Sequence, residues 1–237
     1  MGRFLRCRKR PTPLAVSDAR LQVEEALKIT EAGGGEVVIL SVGPEAAVDS
    51  VRKAISMGAA AGIHVTDPAL HGSDAVATSL VLAKVLESRG FDLIMFGCES
   101  TDARMSVVPA MVAARLGLPQ MTFAAKVEVA SGSVTINRVT DTGYDEVSAS
   151  LPAVVSVVEK INEPRYPSFK NIMAAKKAPM DTLSLSDLGI DAARGARAES
   201  LINDDLLREA FQKLEESYLQ AWKVKNIDDT PGQIGRA

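Results

Sequence analysis

The sequence predicts an α/β fold: a doubly wound, mostly parallel sheet with added antiparallel hairpin strands and a C-terminal helical arm. Three observations carry this. Short β-branched runs alternate with helical patterns through the first half of the chain, and strand–turn–helix units in series build a parallel sheet with right-handed crossovers. After Pro119 the apolar period drops to two, the spacing of hairpin strands. Apolar runs such as LPAVVSVV (151–158) fall far short of the ~18–20 residues of a membrane span.

The elements follow in order. Ser17 or Asp18 caps a helix through about Glu31, with Leu21, Ala26, Leu27 and Thr30 at helical spacing, and Gly33–Gly35 stops it. EVVILSV (36–42) is the kind of run that a strand covered on both faces requires. Gly43–Pro44 turns the chain, and Pro44 suits the first position of a helix with Val48, Val51, Ala54 and Ile55 inward. Gly58 ends that helix. GIHVTD (62–67) is a strand, and Ser73 or Asp74 caps the next helix, which turns Val76, Leu80, Val81 and Leu86 inward. FDLIMFG (91–97) is a buried strand, followed by a loop and a helix around Val107–Leu116. TFAAKVEV, SVTINRV and DEVSAS read as hairpin strands with turns at Ser131–Gly132 and Thr142–Gly143, and LPAVVSVV as a buried strand. A basic, proline-containing stretch occupies 161–179. The tail from Glu199 to about Val224 reads as a helix, its stripe running from Leu201 through Leu207 and Phe211 to Trp222.

Composition narrows the function classes. The chain has 237 residues, and 27 basic against 30 acidic side chains leave a net charge of −3, with no whole-chain bias toward nucleic acid or anionic membrane. Cys7 and Cys98 are too far apart for a disulfide framework and read as reduced thiols in a cytoplasmic setting. Met1–Val16 differs from the rest, with five basic residues in its first ten and no acid before Asp18. Pro11 and Pro13 stand where a signal peptide needs its apolar run, so the segment reads as a disordered or atypical end, with an organelle-targeting segment as the alternative.

The catalytic inventory is thin. His64 sits inside a strand pattern, where a structural role outweighs a catalytic one, and His71 lies in the LHGSD turn. No C-x-x-C, H-E-x-x-H, G-x-S-x-G or P-loop pattern occurs, so the chain reads as a binding protein and not as a hydrolase or transferase. In open parallel sheets ligands sit beyond the carboxyl ends of the strands. Ser41–Pro44 and Gly97–Pro109 are therefore the loops of interest. In the second, Ser100, Thr101 and Asp102 offer hydroxyls and a carboxylate, and the following helix presents N–H groups to an anion. Cys98 reads as a loop cysteine, with a reactive thiol as the alternative. Lys170, Lys176 and Lys177 around Phe169 form either a solvated basic loop or a docking patch with an apolar anchor.

NEPRYPSFKNIMAAKK at 162–177 strongly resembles the signature of the electron-transfer flavoprotein β (small) subunit. The resemblance extends over VEEALK (23–28), RKAISMGA (52–59), the GSD turn (72–74), GLPQMTFAAKVEV (117–129), LPAVVSV and DLGID (187–191). The STD…VVPA loop looks like the branch also called FixA. The resemblance implies a Rossmann-like, adenine-nucleotide-binding type of sheet and a heterodimer with a larger α subunit that carries most of an FAD site. It implies AMP of structural purpose in the chain itself. It further implies electrons passing from acyl-CoA dehydrogenases or similar donors, as in fatty acid oxidation, to a quinone-linked acceptor. By position, the AMP site falls on Val42, Gly43, Gly97, Cys98, Glu99, Ser100, Thr101, Asp102, Ala103, Arg104, Met105, Ser106, Val107 and Val108. The partner-recognition loop falls on Pro167, Ser168, Phe169, Lys170, Asn171, Ile172, Met173, Lys176 and Lys177, with Phe169 as apolar anchor. The chain then divides into a basic N-terminal segment (1–16), a nucleotide-binding domain with hairpin strands (17–160), the recognition loop and an extended segment (161–191), and a C-terminal helical arm (192–237).

Two departures from the family pattern set expectations. Ala103 and Ser106 stand where the branch has glycine, and positive φ there would cost about 1–2 kcal/mol each. The family's first strand and its Asn-Pro-aromatic are missing, with Val16–Ala19 in the place of the latter, and GRFLRCR is too basic to substitute. A fold damaged at the centre of its sheet is the expectation. Two other functions compete with the electron carrier: a stand-alone adenine-nucleotide-binding regulator like universal stress proteins, and a truncated, non-functional remnant.

Overall fold

The computed structural model describes residues 13–16 (backbone only), 20–100 and 104–192. Nine strands form one sheet in the order β7-β6-β5-β8-β4-β1-β2-β3-β9. Its strands are β1 (Pro13–Val16), β2 (Val38–Val42), β3 (Ala61–Val65), β4 (Leu93–Gly97), β5 (Gln120–Ala130), β6 (Ser133–Thr140), β7 (Gly143–Ser150), β8 (Ala153–Val157) and β9 (Met180–Leu183). All the pairs from β5 to β9 are parallel, and β6 and β7 add an antiparallel meander at one edge. The helices are α1 (Arg20–Gly33), α2 (Val48–Ile55), α3 (Ala75–Arg89), α4 (Val108–Leu116) and α5 (Phe169–Ala175).

The expected gap at the centre of the sheet does not exist. PLAV at 13–16 is β1, paired in parallel with β2 on one side (Ala15 opposite Ile39) and with β4 on the other (Ala15 opposite Met95). The prolines that argue against a helix do not argue against this strand, because Pro13 is its first residue, where a missing N–H is tolerated. The missing-strand argument for the remnant reading falls with that gap. From β1 the chain winds outward through β2 and β3 and then crosses back to β4, so the order reverses beside β1.

Alternating side chains feed two cores, one on each face, as the two-residue period of a strand requires. On one face Ile39, Met95 and Val155 pack with Val23, Ala26 and Leu27 of α1 and with Val51 and Ile55 of α2. On the other, Leu40, Ile63, Ile94 and Val154 pack with Val81, Leu82, Val85 and Leu86 of α3 and with Val112 and Ala113 of α4. Each such side chain contributes about 1.5–3 kcal/mol by leaving water. In α3 the deep positions include Leu82 and Val85, while Val76 and Leu80 are half-buried.

Local signals set the element ends. Asp74 caps α3, its carboxylate accepting from Ala77 N at 2.8 Å, and Gly90 closes the helix with φ 66°. Pro44 is not the first helical residue: it is extended (ψ 160°) and precedes a 3-10 turn, Glu45–Ala47, before α2 begins. The sequence reading missed α5 and β9. The caps proposed at Ser17 and Asp18 and the tail helix from Glu199 lie outside the described residues, as does all but the first residue of the 192–237 arm.

Candidate functional site

A cavity of about 1090 Å³ opens at the carboxyl ends of β2, β3 and β4. Three loops frame it. The β2 loop is held by backbone bonds: Gly43 N donates to Val65 O at 3.0 Å, and the ring Nε2–H of His64 donates to Pro44 O at 3.2 Å. A carbonyl only accepts, so this bond fixes the neutral ring as the Nε2–H tautomer. His64 is fully buried, as expected of a structural histidine, and its Nδ1 has no partner among the described residues. The β4 loop starts from Cys98 N, which donates to Val157 O at 3.0 Å.

Of the residues placed at the nucleotide site by resemblance, Val42, Gly43, Gly97, Cys98, Glu99, Ser100, Met105, Ser106, Val107 and Val108 line this cavity. Arg104 sits on the same loop outside the lining, and Thr101, Asp102 and Ala103 lie outside the described residues. The third loop, between β3 and α3, adds Thr66, Asp67, His71, Ser73 and Asp74. It follows a strand end like the other two, so the rule that singled them out reaches it as well.

The loop backbone is strained. Ser106 has φ 56° and Arg104 φ 48°, both left-handed, so the positive φ considered at Ser106 is present, with its conformational cost. Ser106 Oγ donates to Glu99 Oε1 at 3.2 Å. Beyond it α4 starts without a side-chain cap, and Pro109 occupies its first turn. The first-turn N–H groups are therefore available to an oxygen ligand, and Val107, Val108 and Pro109 line the cavity.

The rest of the rim is acidic, with Glu45, Asp67, Asp74, Glu99 and Glu159. Asp67 and Asp74 already serve backbone N–H groups, at Ala69 and Ala77. Burial, helped by Glu99 and Glu159, pushes the Cys98 thiol above its ordinary value, so at neutral pH it is protonated and a poor nucleophile. No group of three or more His, Cys, Asp or Glu side chains able to hold a metal occurs among the described residues. No described helix is long and apolar enough to cross a membrane.

α4 is anchored from behind. Arg115 Nε donates to Ser79 Oγ at 2.9 Å and Nη2 to Val76 O at 3.1 Å, tying α4 to α3. Burial lowers the pKa of this guanidinium.

The segment from Asn162 to Lys177 lies against α1 and α2. Asn162 Nδ2 donates to Leu21 O at 3.0 Å and to Glu25 Oε2 at 2.9 Å. Arg165 donates to both carboxylate oxygens of Glu24, at 2.8 and 3.0 Å, and also to Glu31. The Arg165 hydrogen bonds hold both carboxyls below the ordinary glutamate value and raise the pKa of the guanidinium. Of the residues placed in the recognition loop, Ser168 caps α5 through Asn171 N at 3.2 Å, and Phe169, Ile172 and Met173 are exposed, Phe169 by 79%. Lys170, Lys176 and Lys177 are exposed around them, and Pro167 is half-buried. Tyr166, 91% exposed, joins the patch and was missed by the sequence reading.

The family model of the electron transfer flavoprotein domain matches residues 18–188. Proteins named electron transfer flavoprotein subunit beta are similar to this chain. The one from Mycobacterium tuberculosis (strain ATCC 25618 / H37Rv) is 48% identical over 176 residues, covering 72% of this chain and 66% of the relative. One from Bradyrhizobium diazoefficiens is 36% identical over 208 residues, 87% of this chain and 82% of its own length. The one from Bos taurus is 33% identical over 210 residues, with the same coverage of 87% and 82%. The chain thus spans slightly under two thirds of the length of the mycobacterial relatives it matches.

Proposed function

The chain belongs to the electron transfer flavoprotein family, as a β-subunit relative, and from this we propose that it is the β subunit of a heterodimeric electron carrier. In this reading it pairs with an α subunit that holds most of the FAD, accepts electrons from acyl-CoA dehydrogenase-type donors in the cytoplasm, and passes them toward a quinone-linked acceptor. It is an electron-transfer subunit and catalyses no reaction alone. The observation that carries the reading is the Asn162–Lys177 segment. Its polar side chains turn inward onto α1, while Tyr166, Phe169, Ile172 and Met173 are left in solvent. An exposed apolar cluster of this kind on a loop, ringed by lysines, is an interaction site.

AMP fits the cavity at the strand ends. Val42, Gly43 and the Gly97–Val108 loop would hold it, with the uncapped first turn of α4 taking the phosphate. The acidic rim suits the hydroxyl and amino donors of a nucleoside and leaves charge recognition to the backbone N–H groups. Bound flavin supplies the electron chemistry. The chain's own contribution is to hold the nucleotide and present the docking loop. A stand-alone nucleotide-binding regulator has no use for that loop.

The test is to co-purify the chain with a candidate α subunit, denature the complex and identify the released molecules by mass. The reading expects FAD and AMP together. FAD alone would remove AMP from it, and no complex would overturn it. In the complex, Phe169→Ala should slow reduction by the donor without releasing flavin; unchanged kinetics would remove the docking role of the loop.

A further inference from the structure

The geometry points to Arg52, on α2, as the residue that positions the docking helix α5. Arg52 Nη1 donates to two carbonyls, Ala175 O and Ala178 O, each at 2.7 Å and across 123 and 126 residues of chain. Ala175 is the last residue of α5, and Ala178 precedes β9 by two. The last carbonyls of a helix have no partner within it, and a cation there also meets the negative end of the helix dipole.

The need for such a clamp follows from the helix itself. α5 has seven residues, fewer than the ~12–15 at which a helix persists unaided, and of these only Ala175 is buried. No apolar face holds it to the body, because its large apolar side chains are those left outward. Its order therefore comes from its ends. Ser168 caps the front, the Arg165–Glu24 pair pins the approach to α1, and Arg52 holds the rear to α2. α2 is a firm base, since Val51 and Ile55 pack on Gly62 of β3, which leaves no room for a side chain there. A docking helix ordered before contact spares its partner the entropy of ordering it.

Arg52 thus acts through α5 and does not line the cavity at the strand ends. The consequence for docking rests on the proposed role of Pro167–Lys177, whereas the clamp itself does not. Two measurements separate them. In the full chain, Arg52→Gln should speed amide exchange at 171–177 about tenfold or more while the amides of β4 and β8 keep their protection. Arg52→Lys, which retains a cationic donor, should restore much of the protection. In the complex with the α subunit, Arg52→Gln should raise KM for the donor reaction about tenfold at unchanged kcat, as Phe169→Ala should. Ser168→Ala, releasing the other end of α5, should act in the same direction and serves if Arg52→Gln fails to fold. Unchanged or uniformly faster exchange overturns the clamp. A normal KM in Arg52→Gln, with KM raised in Phe169→Ala, overturns its part in docking. A normal KM in both variants removes the loop from docking altogether, and the positioning role with it.

Discussion

Arg165 reaches back across 141 residues to grip Glu24, its Nε on Oε2 at 2.8 Å and its Nη2 on Oε1 at 3.0 Å, while its backbone N–H meets the same Oε2 at 3.1 Å. Glu24 is buried on α1 and Arg165 is one-third exposed, so the pair binds the 162–177 segment to α1 at the edge of solvent.

The pair gives a pH signature. The Arg165 hydrogen bond depresses the Glu24 carboxyl below its ordinary 4.5, so the stabilisation is complete above that value and is lost as pH falls through the folded-state value. Arg165→Met should cost about 2–3 kcal/mol at pH 7, less than the roughly 3–5 for breaking a fully buried pair because solvent screens Arg165. Urea denaturation at pH 7 and from pH 5 to 3 checks this. The gap between the two proteins should narrow on the acid side, and a gap independent of pH would contradict the assignment.

Ser106 sits at φ 56° in the loop that lines the cavity at the strand ends. Ser106→Gly removes the left-handed penalty and gives up only an exposed hydrogen bond to Glu99. The net gain should be about 1 kcal/mol, a rise of about 2–4 °C in Tm. Calorimetry decides it, and a lower Tm would mean that the Glu99 bond outweighs the strain.

β1 lies between two parallel partners, and a proline in the middle of such a strand removes a ladder hydrogen bond. Ala15→Pro should cost about 3 kcal/mol or more, or abolish folding, whereas Pro13→Ala at the strand start should change stability by less than about 1 kcal/mol. Equal tolerance of both changes would take residues 13–16 out of the sheet.

Gly62 is in β3 at a point where an added Cβ would lie 2.9 Å from Val51 Cγ1 and 3.1 Å from Ile55 Cδ1. Val51 is β-branched and has little rotamer freedom on a helix. Gly62→Ala should therefore cost about 1–3 kcal/mol by overpacking. Adding Val51→Ala should recover part of the loss, and thermal denaturation of the single and double variants measures the coupling.

Most of the fold was legible in the sequence because its signals are local. EVVILSV, FDLIMFG and LPAVVSVV announce strands buried on both faces by composition alone, and Asp74 and Gly90 mark the ends of α3 in the chain itself. The elements that escaped depend on distant partners. PLAV at 13–16 is too short and too proline-flanked to stand out, and it is a strand because β2 and β4 present their edges to it. β9 is likewise defined by the edge of β3, and the rear of α5 by Arg52, although its Ser168 cap is a local signal.

The site divides in the same way. The sequence by itself determined the family, through a signature of residue types at fixed spacing, and pointed to the loops after β2 and β4. That Ser106 occupies a backbone position of positive φ became a physical fact only when the chain was folded. The Glu24–Arg165 grip and the reach of Arg52 to Ala175 and Ala178 were decided by tertiary structure alone. Each joins residues more than a hundred positions apart, and no local pattern encodes a hydrogen bond whose two partners meet only when the sheet has closed.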